Sequence, residues 1–274
     1  MNAPDGASRR PLQRRRPEAV VEATDLVAGE VPVALRYNNA PFAVLMATPC
    51  NLDELALGFS LTEAIVASAG ELRIEGIAES IDGFAVDMRI PESRNAALAA
   101  RARSLPAAGG CGVCGTRDVE AVLRTPPCIE STLRVGEAAL HRALGALHQR
   151  QPLNAATGAT HAAGFADAGG DLLLVREDVG RHNALDKLVG AMANAGIAAD
   201  SGFAIITSRA SYELAMKAAQ VGIPLLAAIS APTTLANPTR HRRAESASAI
   251  ASVVGAEIAA SKGMPTCAAF IASS

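Results

Sequence analysis

The second half of the chain repeats one pattern, in which a short apolar segment is followed by a polar turn and then by an amphipathic segment. The apolar segments at residues 171–175, 202–208 and 223–230 have the length of buried strands. Between them, apolar residues recur at helical spacing, as at Leu185, Leu188, Val189 and Met192. Strands that alternate with helices favour an α/β layer with a largely parallel sheet.

The two polar turns of this pattern, EDVGRHN (177–183) and TSRASYE (207–213), lie where a strand ends and a helix begins. Ligands of α/β sheets bind at the carboxyl ends of strands, and helix N-termini favour anions. Arg181 and Arg209 add forked donors for phosphate oxygens, and Glu177 and Asp178 are candidate acceptors for a base or a ribose. The turns therefore predict a nucleotide-like ligand. Two capped helices with solvated charges remain the alternative, since the chain has neither a Walker loop nor a GxGxxG motif.

Capping residues predict the helix boundaries. We expect the helix after EDVG to take Asn183 as its N-cap, with Asp186 at the third position, and to end at Gly196. In the first half, Asn51 predicts the start of a helix that continues to about Ser68.

Alternating apolar and polar residues predict a β-rich N-terminal portion. Residues 30–48 alternate around Asn38-Asn39, and residues 71–90 alternate around Asp82-Gly83. Both patterns are typical of β-hairpins.

Charge and hydropathy exclude two classes of partner. The net charge is only −2, and no apolar run approaches the roughly 20 residues of a membrane helix. Five arginines (9, 10, 14, 15 and 16) are not followed by the apolar segment of an export signal, so we expect a disordered basic tail over residues 1–24. We therefore predict a cytoplasmic protein with reduced cysteines that binds neither nucleic acid nor membrane.

The segment GGCGVCG (109–115) places Cys111 and Cys114 two residues apart, with four glycines among its seven residues. A structural zinc site needs four ligands, and no second pair stands at a recognised spacing. A redox dithiol normally follows a strand directly at a helix start. A sulfur carrier needs a thiolate on a hinge, so transfer of sulfur fits this setting better, and two inert thiols remain an alternative. Cys50, Cys128 and Cys267 are isolated, and we interpret them as bystanders.

Together these motifs resemble one family. CGVCG, TGATHAAGF, EDVGRHNALDKLVG and TSRASYE, with VALRYNNAPFAVLMATP and DELALGFSLTEAI before them, are similar in sequence and order to the formate dehydrogenase accessory sulfurtransferases, FdhD. The resemblance covers residues 25–236 and implies a cytidine-deaminase-like α/β domain and a homodimer.

The resemblance also implies a function. Members of this family take persulfide sulfur from a cysteine desulfurase and deliver it to the molybdenum or tungsten bis-pyranopterin guanine dinucleotide cofactor of formate dehydrogenase. It implies that Cys111 carries the persulfide, that Cys114 assists, and that no permanent metal is present. The cofactor, as a bound guanine nucleotide, would contact the turns at Thr160, His161, Asp178, Gly180, Arg181, His182, Asn183, Ser208, Arg209 and Ser211. A zinc-dependent hydrolase on a deaminase-like scaffold and a non-catalytic cofactor-binding chaperone stay open as alternatives.

We accordingly divide the chain into a basic tail (1–24), a β-rich portion (25–105), an α/β domain with the CxxC loop (106–236) and an atypical C-terminal tail (237–274). After AISAPTTLA, the family pattern continues with a helix and an apolar strand, whereas this chain has an Ala/Ser/Arg-rich segment that begins Asn237-Pro238. A shifted reading frame is one hypothesis for this tail. A divergent tail that packs as an apolar helix is the other.

Overall fold

The four-stranded sheet of the N-terminal portion is formed by two hairpins. In the computed structural model, which describes residues 3–16, 19–104, 129–230 and 249–252, its strands are β3 (Val31–Tyr37), β4 (Ala40–Ala47), β5 (Arg73–Ser80) and β6 (Gly83–Arg89), in the order β4-β3-β6-β5. Asn38 and Asn39 form the first turn with φ angles of 49° and 68°, the left-handed backbone that tight hairpins require. Both predicted hairpins are confirmed.

Helix α1 (Leu52–Thr62) covers one face of this sheet, and α2 (Glu92–Ser104) follows β6. Asn51 occupies the predicted N-cap position, but its backbone is left-handed (φ 52°) and its side chain makes no capping bond. The helix ends at Thr62, earlier than predicted, and the chain then turns through Ala64, whose φ of 55° is incompatible with a continuing helix.

A five-stranded sheet forms the second half, with strands β7 (His161–Asp167), β8 (Leu172–Asp178), β9 (Gly202–Arg209), β10 (Leu225–Ser230) and β11 (Ala249–Ser252). Their order is β11-β10-β9-β7-β8. β9, β10 and β11 are parallel, whereas β7 is antiparallel to both of its neighbours. The predicted largely parallel sheet is thus wrong at β7, because the short turn through Gly170 (φ 87°) joins β7 and β8 as a hairpin and leaves no room for a crossover helix.

Helices cover both faces of the second sheet. α3 (Glu137–Gln149) packs on one face, whereas α5 (Arg181–Asn194) and α6 (Tyr212–Gln220) pack on the other; the short α4 (Pro152–Thr157) precedes β7. Helix α5 also packs against α1, which joins the two halves. The helices cross closely because Gly58 lies against the Asp186 carbonyl and Gly190 against the Glu54 carbonyl.

The two ends of the chain differ from expectation. Instead of a disordered basic tail, Ala7–Arg16 forms β1, which pairs antiparallel with β2 (Ala19–Ala28), because the β-branched residues of β2 provide a strand to pair with. In the C-terminal tail, the structure describes only β11, which is a strand where one of the two hypotheses placed an apolar helix. The domain boundaries themselves remain predictions.

Candidate functional site

The predicted site residues converge at one edge of the five-stranded sheet. The carboxyl ends of β8, β9 and β10 meet there, and β7 begins there, since His161 is paired with Asp178 and Arg209 with Ser230. Helices α5 and α6 begin at the same edge. The edge carries all ten predicted residues: Thr160, His161, Asp178, Gly180, Arg181, His182, Asn183, Ser208, Arg209 and Ser211.

Asp178 is fully buried, and its carboxylate is occupied by internal partners. The Lys187 Nζ lies 2.6 Å from Asp178 Oδ2. The same oxygen accepts from the Thr48 amide at 3.0 Å, while Oδ1 accepts from the Gly180 amide at 2.8 Å and from Asn183 Nδ2 at 3.0 Å. This carboxylate therefore holds the strand-to-helix turn together.

The start of α5 differs from the prediction. Gly180, not Asn183, is the N-cap residue, and Asn183 lies inside the first turn. The Asn183 amide instead donates to Asp178 and, at 2.8 Å, to the Met46 carbonyl at the end of β4. A Cβ at Gly180 would lie 2.8 Å from the side-chain Nδ2 of Asn183, so a larger residue would displace the side chain that donates to Asp178 and Met46.

Glu177 is also occupied. Its carboxylate accepts from the Leu153 and Asn154 amides at 3.0 and 2.7 Å, at the N-terminus of α4. The buried Thr160 hydroxyl donates to it at 3.2 Å. Glu177 and Thr160 thus fix α4 against β8, and the expected base or ribose acceptors at 177 and 178 are both engaged within the protein.

The positive charge of this edge comes from arginine rather than histidine. Arg209 is exposed and Arg181 is half-buried. Burial and the nearby Arg181 lower the pKa of His161, and burial, Arg181 and Lys217 lower the pKa of His182 to about 4. Both imidazoles are therefore neutral near pH 7. His182 Nε2 is buried and has no hydrogen-bond partner among the residues the structure describes.

Ser211 is the N-cap of α6, where its hydroxyl accepts from the Leu214 amide at 3.5 Å. Burial would raise the pKa of Glu213. Hydrogen bonds with its own backbone amide and with the Ser211 side chain, together with the nearby charge of Arg181, outweigh burial and lower the pKa. Ser208 is buried at the end of β9, and its hydroxyl donates to the Arg209 carbonyl at 3.2 Å.

A second buried cluster of charged side chains lies where α1, α5 and α6 meet. Lys217 Nζ is 2.9 Å from Asp186 Oδ2 and 3.1 Å from Glu63 Oε1, and the Thr62 hydroxyl donates to Asp186 at 2.7 Å. Burial raises the pKa of Asp186; burial alone would lower the pKa of Lys217, but the Asp186 and Glu63 carboxylates raise it. The cluster joins α1, α5 and α6, so it fixes both helix N-termini at the edge.

Sequence reasoning missed the buried cations Lys187 and Lys217, and the Arg176–Glu54 ion pair between β8 and α1 (2.6 Å). One signal was present for Lys187. Residues 183–192 of α5 are buried throughout, and the charged residues of this stretch, Asp186 and Lys187, are adjacent. A helix without a solvent-facing side must pair its charges internally.

Among the cysteines, Cys111, Cys114, Cys128 and Cys267 lie outside the described residues. Cys50 lies beside Lys187, with Sγ 3.9 Å from Nζ, and burial raises the pKa of its thiol despite that ammonium. A protonated thiol is a poor nucleophile, which agrees with its interpretation as a bystander. Within the described ranges, no group of three His, Cys, Asp or Glu side chains is placed to hold a metal ion.

The sequence is similar over most of its length to proteins named as sulfur carriers. A relative from Xanthomonas campestris pv. campestris (strain B100), named sulfur carrier protein FdhD, is 57% identical over 231 residues, 84% of this chain and 82% of its own. One of the same name from Bordetella bronchiseptica is 46% identical over 213 residues, 78% of this chain and 77% of its own.

Among solved structures, a putative formate dehydrogenase accessory protein from Desulfotalea psychrophila has the same fold, with a TM-score of 0.66 at 22% identity over 90% of this chain and 92% of that one. The described part of the chain contains no helix long and apolar enough to cross a membrane. The model of the FdhD/NarQ family matches residues 28–244, and the chain therefore belongs to the FdhD/NarQ family.

Proposed function

We propose that this protein is a sulfur carrier that transfers persulfide sulfur to the cofactor of formate dehydrogenase. The observation that carries the proposal is the 57% identity, over most of the chain, to relatives named as sulfur carriers. The Cys111–Cys114 pair on its glycine-rich segment supplies the chemistry that a carrier needs.

In the proposed reaction, the Cys111 thiolate attacks the outer sulfur of a persulfide on a cysteine desulfurase. A new S–S bond forms at Cys111, the old S–S bond breaks, and the desulfurase cysteine leaves as a thiolate. This transfer to Cys111 consumes no external oxidant or reductant. Cys114 assists by donating a hydrogen bond to the terminal sulfur, or by resolving the persulfide: its thiolate attacks the Cys111 sulfur, a Cys111–Cys114 disulfide forms, and hydrosulfide leaves. In that second route a cellular thiol reductant then reduces the disulfide.

The acceptor is the molybdenum or tungsten bis-pyranopterin guanine dinucleotide, which is bound as a client at the sheet edge. Arg181 and Arg209, beside two helix N-termini, suit its phosphates. The neutral imidazoles of His161 and His182, with the backbone at Gly180, suit uncharged parts of the nucleotide. Asp178 contributes by positioning Gly180 and Asn183, since its oxygens already have partners.

The strand order also supports a cytidine-deaminase-like arrangement. What supports it is a five-stranded sheet with one antiparallel strand next to its edge and with helices on both faces. The proposed protein is a cytoplasmic homodimer that binds the cysteine desulfurase and formate dehydrogenase in turn.

The test is mass spectrometry of the peptide that contains Cys111 and Cys114, after incubation of the protein with a cysteine desulfurase and cysteine. We expect one added sulfur atom, about 32 Da, that is removed by a reductant. Cys111→Ser should abolish the addition and the maturation of formate dehydrogenase, whereas Cys50→Ser is the matched control and should change neither.

Two outcomes would overturn the proposal. Stoichiometric zinc in the purified protein, with no sulfur added, would favour a hydrolase. A Cys111/Cys114 double variant that still matures formate dehydrogenase would favour a chaperone that only holds the cofactor.

A further inference from the structure

The four-stranded sheet of the N-terminal portion has a second face that points away from its core. Helices α1 and α2 pack on the first face, where α2 contributes Leu98 and the central strands contribute residues such as Leu35 and Val86. Residues that alternate with these along the strands point to the opposite side of the sheet. We call that opposite side the outer face.

The outer face is apolar at positions where a solvated face would be polar. Its central positions on β3, β4 and β6 are all small or apolar: Pro32, Ala34, Val44, Met46, Gly83 and Ala85. Val44 and Met46 are 53% and 50% exposed. A sheet with one face in water normally places polar side chains on that face. The outer face therefore has the composition of a surface that another surface covers.

These apolar residues form one continuous patch. Ala34 lies directly opposite Val44 on β4 and directly opposite Ala85 on β6, so the three side chains lie next to one another across three strands. Pro32 is opposite Met46 in the adjacent row. The small side chains on the two central strands allow a second flat surface to approach closely.

Charged residues of opposite sign border the patch at the two ends of β3. Glu30 is exposed, directly precedes β3 and continues the alternation of Pro32 and Ala34. Arg36, at the other end of the strand, has a side chain that is 46% exposed and lies 3.6 Å from Asp87 on β6. The outer face thus has the apolar centre and polar rim of a protein interface.

The positions of these charges fit a second copy of the same face. A two-fold axis that runs across the strands stacks two copies face to face and sets their β3 strands in opposite directions. Val33 lies midway between Glu30 and Arg36 along the chain. With the axis over Val33, Glu30 of each copy faces Arg36 of the other, and apolar residues meet apolar residues. One surface therefore complements itself in both charge and hydropathy.

The outer face is connected to the candidate site through its edge strand. The Met46 carbonyl at the end of β4 accepts from Asn183 Nδ2 at 2.8 Å, and the amide of Thr48, directly after β4, donates to Asp178 at 3.0 Å. A protein surface that covers β4 thereby also supports the strand that holds the turn before α5.

We propose that the outer face of the four-stranded sheet is the interface of a symmetric dimer of this chain. Val44, Ala34 and Ala85 form its apolar centre, and Glu30 of one protomer pairs with Arg36 of its partner at two equivalent places. This inference rests on the homodimer of the proposed function and deepens it, because it assigns the surface through which the two protomers join.

The first test is sedimentation velocity of the full-length protein over a concentration range of about 1–100 μM. Val44→Glu places a carboxylate in the apolar centre twice per dimer, so we expect the dissociation constant to rise at least about tenfold. The matched control is Leu173→Glu on β8, which changes a 43% exposed leucine outside the outer face and should leave the dissociation constant unchanged.

Charge reversal tests how the two β3 strands are arranged. Glu30→Arg and Arg36→Glu should each raise the dissociation constant about tenfold, because each places like charges opposite one another at two equivalent positions. The double variant Glu30→Arg/Arg36→Glu should restore the dissociation constant of the unaltered protein. Such a rescue is not expected of variants that merely disturb the fold.

The outcomes separate this inference from the proposed function. A monomer throughout the concentration range would overturn the inference together with the proposed homodimer. A dimer that Val44→Glu leaves intact, or that Leu173→Glu weakens equally, would overturn the inference alone, because the protomers would then join through another surface. A double charge variant as weak as the single variants would overturn the assigned ion pairs. Sulfur addition to the peptide with Cys111 and Cys114 tests the sulfur-carrier function separately.

Discussion

The Lys187 ammonium lies 2.6 Å from the Asp178 carboxylate, and neither side chain is exposed to solvent. Lys187 also donates to the Thr48 carbonyl at 2.9 Å, so the pair connects the end of β4 with the turn before α5. Its position at the junction of the two halves makes the candidate site depend on their packing.

We expect Lys187→Met to destabilise the protein by about 3–5 kcal/mol, because it leaves the Asp178 carboxylate buried without its counter-ion. Urea unfolding at pH 7 measures the effect. Arg73→Met, at an exposed ion pair with Glu75, is the matched control and should cost less than about 1 kcal/mol. If Lys187→Met lowered the free energy of unfolding as little as the control does, the buried Asp178 carboxylate would not need Lys187 as its counter-ion.

The close crossing of α1 and α5 makes a second prediction. Gly58→Ala places a methyl group against the Asp186 carbonyl, so we expect a loss of more than about 3 kcal/mol, since two buried helices must move apart. Gly145→Ala, in the exposed middle of α3 with no atom near the new methyl, should instead stabilise by about 0.5–1 kcal/mol. Thermal unfolding of both variants tests the contrast, and similar shifts in Tm would contradict it.

His182 makes a prediction about pH. Burial, Arg181 and Lys217 lower its pKa to about 4, below the ordinary value of 6.5, so the unfolded chain binds the proton more readily than the folded protein. The contribution of this pKa difference to the free energy of unfolding is fully present above pH 6.5 and is lost as the pH falls towards 4. The loss amounts to about 2 kcal/mol, with allowance for the part of the imidazole that solvent reaches.

We expect His182→Phe to remove that part of the pH dependence, as measured by urea unfolding at pH 7, 5.5 and 4.5. The control is His148→Gln, at an exposed histidine near the end of α3. If the slope between pH 7 and 4.5 were the same in His182→Phe and in the unaltered protein, the neutral buried imidazole would be ruled out.

The two arginines at the sheet edge give a prediction for the proposed function. Arg181→Ala and Arg209→Ala should each weaken GDP binding about tenfold, because each removes a charged donor from the phosphates. Isothermal titration calorimetry measures the effect, and the exposed Arg134→Ala is the control. If all three variants bound GDP with equal affinity, the nucleotide would bind at a site other than this sheet edge.

The sequence by itself determined most strands and helices between residues 31 and 230, because their signals are local, whereas it did not predict β1, β2 or β11. The turn residues Asn38 and Asn39 and the end of α5 at Gly196 were predicted correctly, since each needs a backbone that few residues adopt. The edge that gathers the polar turns was also predictable, because strand-to-helix connections in such a layer all end on one side.

Only the tertiary structure decided what those polar residues contact. Asp178 and Glu177 are predicted ligand acceptors by sequence, yet both carboxylates are occupied by groups distant in the chain, such as the Thr48 amide 130 positions earlier. The buried Lys187 and Lys217 and the pairing of β1 with β2 depend in the same way on neighbours brought together by folding. A side chain's type sets the bonds it is able to make, but burial and the partners supplied by other elements decide which bonds form.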